Sequence, residues 1–273
     1  MLGELLDNVR RRRPLIHSIT NYVTVNDCAN ILLACGGSPI MADDPGEVEE
    51  ITALCGGLTI NIGTLNARTV PAMLAAGKKA NELGHPAVLD PVGAGASALR
   101  TGTALRLLEQ VRFSVIRGNI SEIKALALGR GHTPGVDAGA GDAVTEETLN
   151  EAVRFAKDFS QRTGAVAAVT GAIDIVAGAG AAYCIFNGHP MMSAVTGTGC
   201  QLSALTAAFV TANPDRVLEA AAAAVCAMGV CGELAHRRLS ERDGNASYRN
   251  YIIDAVYRLD GGTLDQMANY KIL

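Results

Sequence analysis

Charge is scarce in this sequence. Asp, Glu, Lys and Arg make up 18% of its 273 residues, and the net charge is -4. Such a chain carries no broad positive field, which excludes a general nucleic-acid binder. No GxxxxGK[ST] stretch occurs, so a P-loop is missing, and Gly93-Ala94-Gly95 lacks the third glycine of a dinucleotide fingerprint. The seven cysteines include no CxxC pair and the five histidines are scattered. That removes zinc-ligand spacing and leaves mostly buried free thiols in a reducing compartment. The first 13 residues are charged and hold no apolar stretch of the secretion-signal kind. The longest apolar run, around residues 220–230, is short of the roughly 20 residues that a membrane span needs. These absences predict a soluble, cytoplasmic protein with no nucleic-acid or membrane partner.

What is present is apolar and regular. Hydrophobic residues are 49% of the chain, enough for a sizeable core and too many for disorder. Short apolar runs predict strands at 39–41, 58–62, 87–89, 114–116, 165–169, 173–177 and 181–186. Helical patterns fall at 3–12, 24–34, 47–54, 67–83, 99–111, 120–128, 146–163, 200–210, 214–239 and 248–259. Strands alternating with helices read as an α/β fold with a mainly parallel central sheet covered on both faces. The last two strands suit a hairpin at the sheet edge. No repeat or linker divides the chain, so residues 1–273 read as a single domain. Arg10–Arg13 is a solvated helix end before Pro14, where cations suit the dipole. The glycine-rich stretch 129–142 predicts a mobile surface loop.

The ligand signal lies at Val195-Thr196-Gly197-Thr198-Gly199-Cys200, which runs straight into an apolar helix. A helix start leaves backbone N–H groups without partners and carries partial positive charge, and glycines let an anion approach. A second candidate is Gly139-Ala140-Gly141-Asp142, similar to a sugar-kinase signature whose aspartate is the catalytic base. The helix after it begins with Glu146 and Glu147 and has an amphipathic pattern, whereas the helix after Cys200 is apolar nearly all round. Fixed dipoles act most strongly where water is excluded, so the Gly197–Cys200 stretch is the better cradle and Asp142 a decoy.

In open α/β sheets, ligands gather beyond the carboxyl ends of the strands. That rule selects Asn61, Gly63 and Thr64; Asp90 to Gly93; Arg117, Asn119 and Glu122; and Thr170 with Gly171. Two carboxylates, a guanidinium, small hydroxyls and a glycine-rich helix start suit a metal-bound triphosphate. Glu122 also stands where a capping-box carboxylate belongs. At a helix terminus the Cys200 thiol is expected to have a lowered pKa and to serve as a weak base towards a hydroxyl.

Several segments occur in a telling order: HSITNYVT from His17, SPIMA from Ser38, NIGT from Asn61, LDPVGA from Leu89, RGNISEI from Arg117, VTGAID from Val169 and VTGTGC from Val195. Together they resemble the hydroxyethylthiazole kinases of thiamine biosynthesis, from about His17 into the helix after Cys200. The resemblance implies a ribokinase-like fold. It implies phosphorylation of the primary alcohol of 4-methyl-5-(2-hydroxyethyl)thiazole by ATP with Mg²⁺, in a homotrimer with active sites between subunits. By motif, Arg117, Thr170 and Glu122 would bind ATP, and Asp90 and Glu122 the metal. Met41, Gly197 and Asn21 would border the thiazole, while Cys200, Gly199 and Gly197 would serve the transfer itself. Cys200 stands where most ribokinase-like enzymes place an aspartate base, which implies modest turnover. Rival readings are a nucleotide-dependent dehydratase of hydrated nicotinamide cofactors, a pyridoxine-type kinase, and a nucleotide-binding regulator without catalysis.

Overall fold

A nine-stranded sheet runs through the computed structural model, which describes residues 1–129 and 144–273. Its strands are β1 (Leu15–Ile19), β2 (Ser38–Ile40), β3 (Gly57–Asn61), β4 (Ala87–Asp90), β5 (Val115–Asn119), β6 (Val166–Thr170), β7 (Asp174–Ala177), β8 (Ala182–Ile185) and β9 (Tyr270–Ile272). The spatial order is β2-β1-β3-β4-β5-β6-β7-β8-β9. The first six pair in parallel and the last three are antiparallel additions.

The helices are α1 (Gly3–Arg12), α2 (Val25–Cys35), α3 (Val48–Leu54), α4 (Thr69–Leu83), α5 (Ala98–Gln110), α6 (Ile120–Leu128), α7 (Leu149–Thr163), α8 (Thr198–Ala212), α9 (Val217–Arg238), α10 (Asn245–Arg258) and α11 (Gly261–Met267). Two apolar clusters lie on the two faces of the sheet. One gathers residues of α1, α2, α8, α9 and α10 with Val88 and Val115 of the sheet. The other gathers α4 to α7 with Leu89 and Ile116. Successive strand residues thus enter opposite cores, as the pleat requires. Helix α9 is long and apolar enough to cross a membrane by length and composition, but most of its apolar stretch is buried inside the first cluster.

Three elements differ from the sequence expectations. Strand β1 sits between β2 and β3, yet its Leu-Ile-His-Ser-Ile pattern did not read as a strand. His17 and Ser18 interrupt the apolar run although both are buried. The ring of His17 is satisfied in place: Nε2 meets the Ala42 carbonyl and Nδ1 the Thr52 hydroxyl, each at 2.9 Å. Burial lowers its pKa, which keeps the imidazole neutral. The β7–β8 hairpin forms as predicted but is not at the edge, because the chain's last residues add β9 outside it. Helix α11 was also not foreseen; its seven residues are too few for a periodic signal. The predicted loop 129–142, and Asp142 with it, lies outside the described residues beyond Gly129.

Candidate active site

The pleat aims the site. Val88 and Val115 enter the core on the α8 side, so Asp90 and Arg117, two residues further along β4 and β5, point the same way. The same parity carries Thr170 on β6, two residues after Ala168. On β3, Leu58 and Ile60 enter the opposite core, so Asn61 also faces α8. Register then makes neighbours of Asn61 and Asp90, and of Asn119 and Thr170. One row of polar side chains, at the carboxyl ends of adjacent parallel strands, therefore meets the first turn of α8.

That turn is built around glycine. Gly197 caps the helix with φ +89°, and a Cβ there would lie 2.4 Å from Thr24 Cγ2. At Gly199 a Cβ would fall 2.6 Å from the Arg117 guanidinium, so only a glycine lets the guanidinium lie against the helix start. Arg117 is itself held on two sides. Its Nη2 donates to Thr170 Oγ1 at 2.8 Å, and its Nη1 stands 3.5 Å from Asp90 Oδ2.

Asp90 is completely buried. Its Oδ2 accepts from Asn61 Nδ2 at 2.8 Å and from Ser203 Oγ at 2.7 Å, whereas Oδ1 has no partner among the described residues. Burial raises its pKa; Arg117, Ser203 and Asn61 oppose that shift. Asn61 Nδ2 also reaches Cys200 Sγ at 3.2 Å, as does Asn21 Nδ2 at 3.2 Å. The oxygens of both amides are already engaged. Asn21 Oδ1 accepts from Thr24, and Asn61 Oδ1 from Gly63 N–H and Asn21. This leaves the NH₂ ends to face the sulfur.

The expected lowering of the Cys200 pKa is overturned. Burial, and then the Asp90 carboxylate, push the thiol above its ordinary value, and hydrogen bonds from Thr24, Asn21 and Asn61 recover only part of that. A helix terminus does not offset the loss of water around sulfur beside a carboxylate. Cys200 is nonetheless the one cysteine of the seven that is not buried. Glu122 completes a capping box: Oε2 accepts from Asn119 N–H, Asn119 Oδ1 accepts from Glu122 N–H, and Oε1 accepts from Gly93 N–H at 2.8 Å. The carboxylate thereby joins the ends of β4 and β5.

Two clefts open on this row. The smaller, about 380 Å³, is lined by Asn21, Arg100, Glu122, Gly197 and Cys200 among others. The larger, about 600 Å³, runs from Thr170 and Asp174 past Phe186 and Met192 to Met228 and Gly229. Arg117 and Gly199 line both. Met41 stands just past the edge strand β2 and lines neither cleft.

Sequence reasoning missed three contributors. Arg100, in the first turn of α5, donates from Nη2 to the Gly63 carbonyl at 2.7 Å and from Nη1 to that of Val92 at 3.3 Å. Asp174 Oδ1 accepts from Gly171 N–H at 2.9 Å and so fixes the turn after Thr170. The segment 186–194 walls the larger cleft, anchored by Glu233 Oε1, which accepts from Asn187 Nδ2 and Gly188 N–H at 3.0 Å each. Arg100 did carry a signal: a cation in the first turn of a helix opposes the dipole. The anchoring of 186–194 is purely tertiary and left none.

Comparison with known proteins places the chain among relatives. The hydroxyethylthiazole kinase family model matches residues 6–261. A hydroxyethylthiazole kinase of Clostridium acetobutylicum is 67% identical over 271 residues, covering 99% of each chain. A solved hydroxyethylthiazole kinase structure from Pyrococcus horikoshii superposes with a TM-score of 0.88 at 37% identity, over 100% of this chain and 98% of that one. A ribokinase-like superfamily protein from Enterococcus faecalis shares the fold at 12% identity, with a TM-score of 0.62 over 92% of this chain and 88% of that one.

Proposed function

The chain belongs to the hydroxyethylthiazole kinase family, and we propose that it moves the γ-phosphoryl group of ATP onto the primary alcohol of 4-methyl-5-(2-hydroxyethyl)thiazole where its two clefts meet. The observation that carries this reading is the double membership of Arg117 and Gly199, which line both clefts. A group bound at that junction is reachable from either side. The larger cleft has room and apolar walls for a nucleotide base, and the smaller takes a neutral ring.

In the transfer, the bond from the γ-phosphorus to its bridging oxygen breaks and ADP keeps the electron pair. A bond forms from phosphorus to the alcohol oxygen, whose proton leaves to a base or to water. Most of the catalysis in such reactions is positioning and charge stabilisation. Arg117 supplies a fixed guanidinium, steadied by Thr170 and Asp90. The Gly197–Cys200 turn supplies N–H groups at the positive end of α8. Asn21 orients the Cys200 sulfur from the acceptor side, and Cys200 is the proton acceptor on that side. Because its pKa is raised, only a small thiolate fraction exists at neutral pH, which makes the base step weak.

The residues also fit a magnesium ion. Asp90 Oδ1 is a buried carboxylate oxygen with no partner among the described residues, and Glu122 lies at the adjoining strand end. No group of three His, Cys, Asp or Glu side chains gathers among the described residues. That suits a hard cation which keeps its waters and is held by one or two carboxylates and by substrate phosphates. Asp90 and Glu122 would hold it, and its charge would offset that of the phosphate oxygens.

The reading extends to a cytoplasmic homotrimer with sites between subunits. Tyr22 and Val23 are 78% and 57% exposed, and Val23 lines the smaller cleft. A second copy covering these side chains would close that cleft from outside. The test is an assay of the folded protein with ATP, Mg²⁺ and the thiazole alcohol. The thiazole phosphate and ADP are expected in equal amounts. Turnover of a hydrated nicotinamide cofactor with no thiazole phosphate would contradict it.

A further inference from the structure

We propose that Arg100 is a second phosphate-binding cation, one that recognises the phosphoryl group once it is attached to the acceptor alcohol. The inference rests on the phosphotransfer reading above and deepens it, since its ligand is a phosphate monoester in the smaller cleft.

Arg100 is the third residue of α5, where the helix dipole disfavours a positive charge. Its place is therefore not explained by helix preference. The guanidinium leaves the helix and spans the ends of two strands, donating to the carbonyls of Gly63 after β3 and Val92 after β4. It passes so close to Gly93, whose φ is +73°, that a Cβ there would lie 2.1 Å from Nη1. The glycine at that position thus admits the arginine.

Its electrostatics differ from those of Arg117. Arg117 has Asp90 at 3.5 Å, whereas Arg100 forms no ion pair among the described residues. Two carbonyls hold it in place without neutralising it. A guanidinium carries five N–H donors, and the two given to carbonyls leave the others without a partner among the described residues. The group lines the smaller cleft together with Arg117, Glu122 and Cys200. A fixed fork of donors that makes no ion pair among the described residues, set in a cleft, matches a phosphate dianion.

A neutral alcohol offers such a group little, while the same molecule carrying a phosphoryl group offers two negative charges. Arg100 therefore binds the transferring and transferred phosphoryl group more strongly than it binds the substrate. That difference raises kcat without tightening the alcohol. Arg117 faces the phosphoryl group from the junction, and Arg100 faces it from the acceptor side.

The experiment compares Arg100→Gln and Arg100→Lys with the wild type. Three quantities are read: KM for the thiazole alcohol, kcat, and the dissociation constant of synthetic thiazole phosphate measured by calorimetry without nucleotide. Loss of a charge-assisted hydrogen bond predicts that Arg100→Gln binds the phosphate monoester about 10-fold to 100-fold more weakly. Its kcat should fall by a similar factor while KM for the alcohol stays within about twofold. Arg100→Lys should regain part of both losses, because it keeps the charge and loses the fork. A purely structural clamp would instead weaken alcohol and phosphate monoester in parallel, and that result overturns the proposal. So does unchanged binding of the monoester. If Arg100→Gln does not fold, the Arg100→Lys monoester affinity decides alone, with wild-type affinity as the overturning result. A wild-type enzyme that makes no thiazole phosphate would sink the parent reading. Normal wild-type turnover with unmoved variant affinities sinks only this one.

Discussion

The two clefts that meet at Arg117 are built from different materials. The smaller is lined by Asn21, Arg100, Glu122 and Cys200 and backed by polar side chains locked to one another: Asn21 to Asn61, Asn61 to Asp90, Asp90 to Ser203, and both amides to Cys200. The larger takes Arg117, Thr170 and Asp174 at one end, then continues over Phe186, Met192, Val225 and Met228, with Asn187, His189 and Ser193 beside them. The first is organised for directed contact with a reacting group, and the second for burying a flat, largely apolar one. Chemistry and binding are thus separated in space, with a single guanidinium common to both.

Breaking the shared residue should have the largest effect. Arg117→Gln removes the charge at the junction and leaves Asp90 buried without its cation. Activity is expected to fall about 10³-fold, the scale seen when an arginine is removed from a phosphoryl transition state. Both KM values should rise, because both clefts lose a wall. Steady-state kinetics with each substrate varied in turn checks this. An effect confined to one KM would show that the clefts are not joined there.

A change on the acceptor side should be smaller and confined. The raised pKa of Cys200 predicts that wild-type kcat climbs as the pH rises from 7 to 9, with the thiolate fraction. Cys200→Ser should be slower by about 10²-fold or less and should lose that climb, with KM for ATP unchanged. Cys200→Asp, whose carboxylate ionises far lower, should be flat over the same range and faster than the serine variant. Identical pH profiles for all three would remove Cys200 from the proton path.

The smallest effect belongs to the nucleotide side and reads out in stability. Burial lifts the Asp174 carboxyl to about 6, against the hydrogen bond from Gly171 and the charge of Arg117. The folded state therefore holds a proton that the unfolded chain, with its ordinary value of 3.8, has released. Stability from this group is full below the unfolded value and is lost as the pH rises through the folded one. Asp174→Asn should melt higher than wild type at pH 8, and the gap should close as the pH falls towards 3.8. Thermal melts across that range test it. A constant gap would mean that Asp174 does not titrate in the window.

Most of the polar row at the strand ends was legible before the fold was known. Asn61, Asp90, Arg117 and Thr170 each follow an apolar strand, and ligands collect beyond such ends. In the folded sheet the four face α8. The glycines before Cys200 announced a helix start open to an anion, and the helix caps at Gly197 as that pattern requires. What escaped was set by contacts distant in sequence. Strand β1 hides His17, whose two partners, the Ala42 carbonyl and the Thr52 hydroxyl, come from elsewhere in the chain. Strand β9 pairs with β8 across more than 80 residues of chain. The wall of the larger cleft depends on Glu233 gripping the Asn187 segment. The Cys200 pKa was misjudged because burial and Asp90 act through space, and neither is visible in the local motif.

Transfer at the junction of the two clefts requires the triphosphate to end at Arg117. A crystal structure of the protein with a non-hydrolysable ATP analogue, Mg²⁺ and the thiazole alcohol measures that directly. The γ-phosphorus is predicted beside the Arg117 guanidinium and within reach of the Gly197–Cys200 amides, where the two clefts meet, with the alcohol oxygen approaching from the Cys200 side. A triphosphate whose last phosphorus lies away from Arg117, or an alcohol bound outside the smaller cleft, would contradict it.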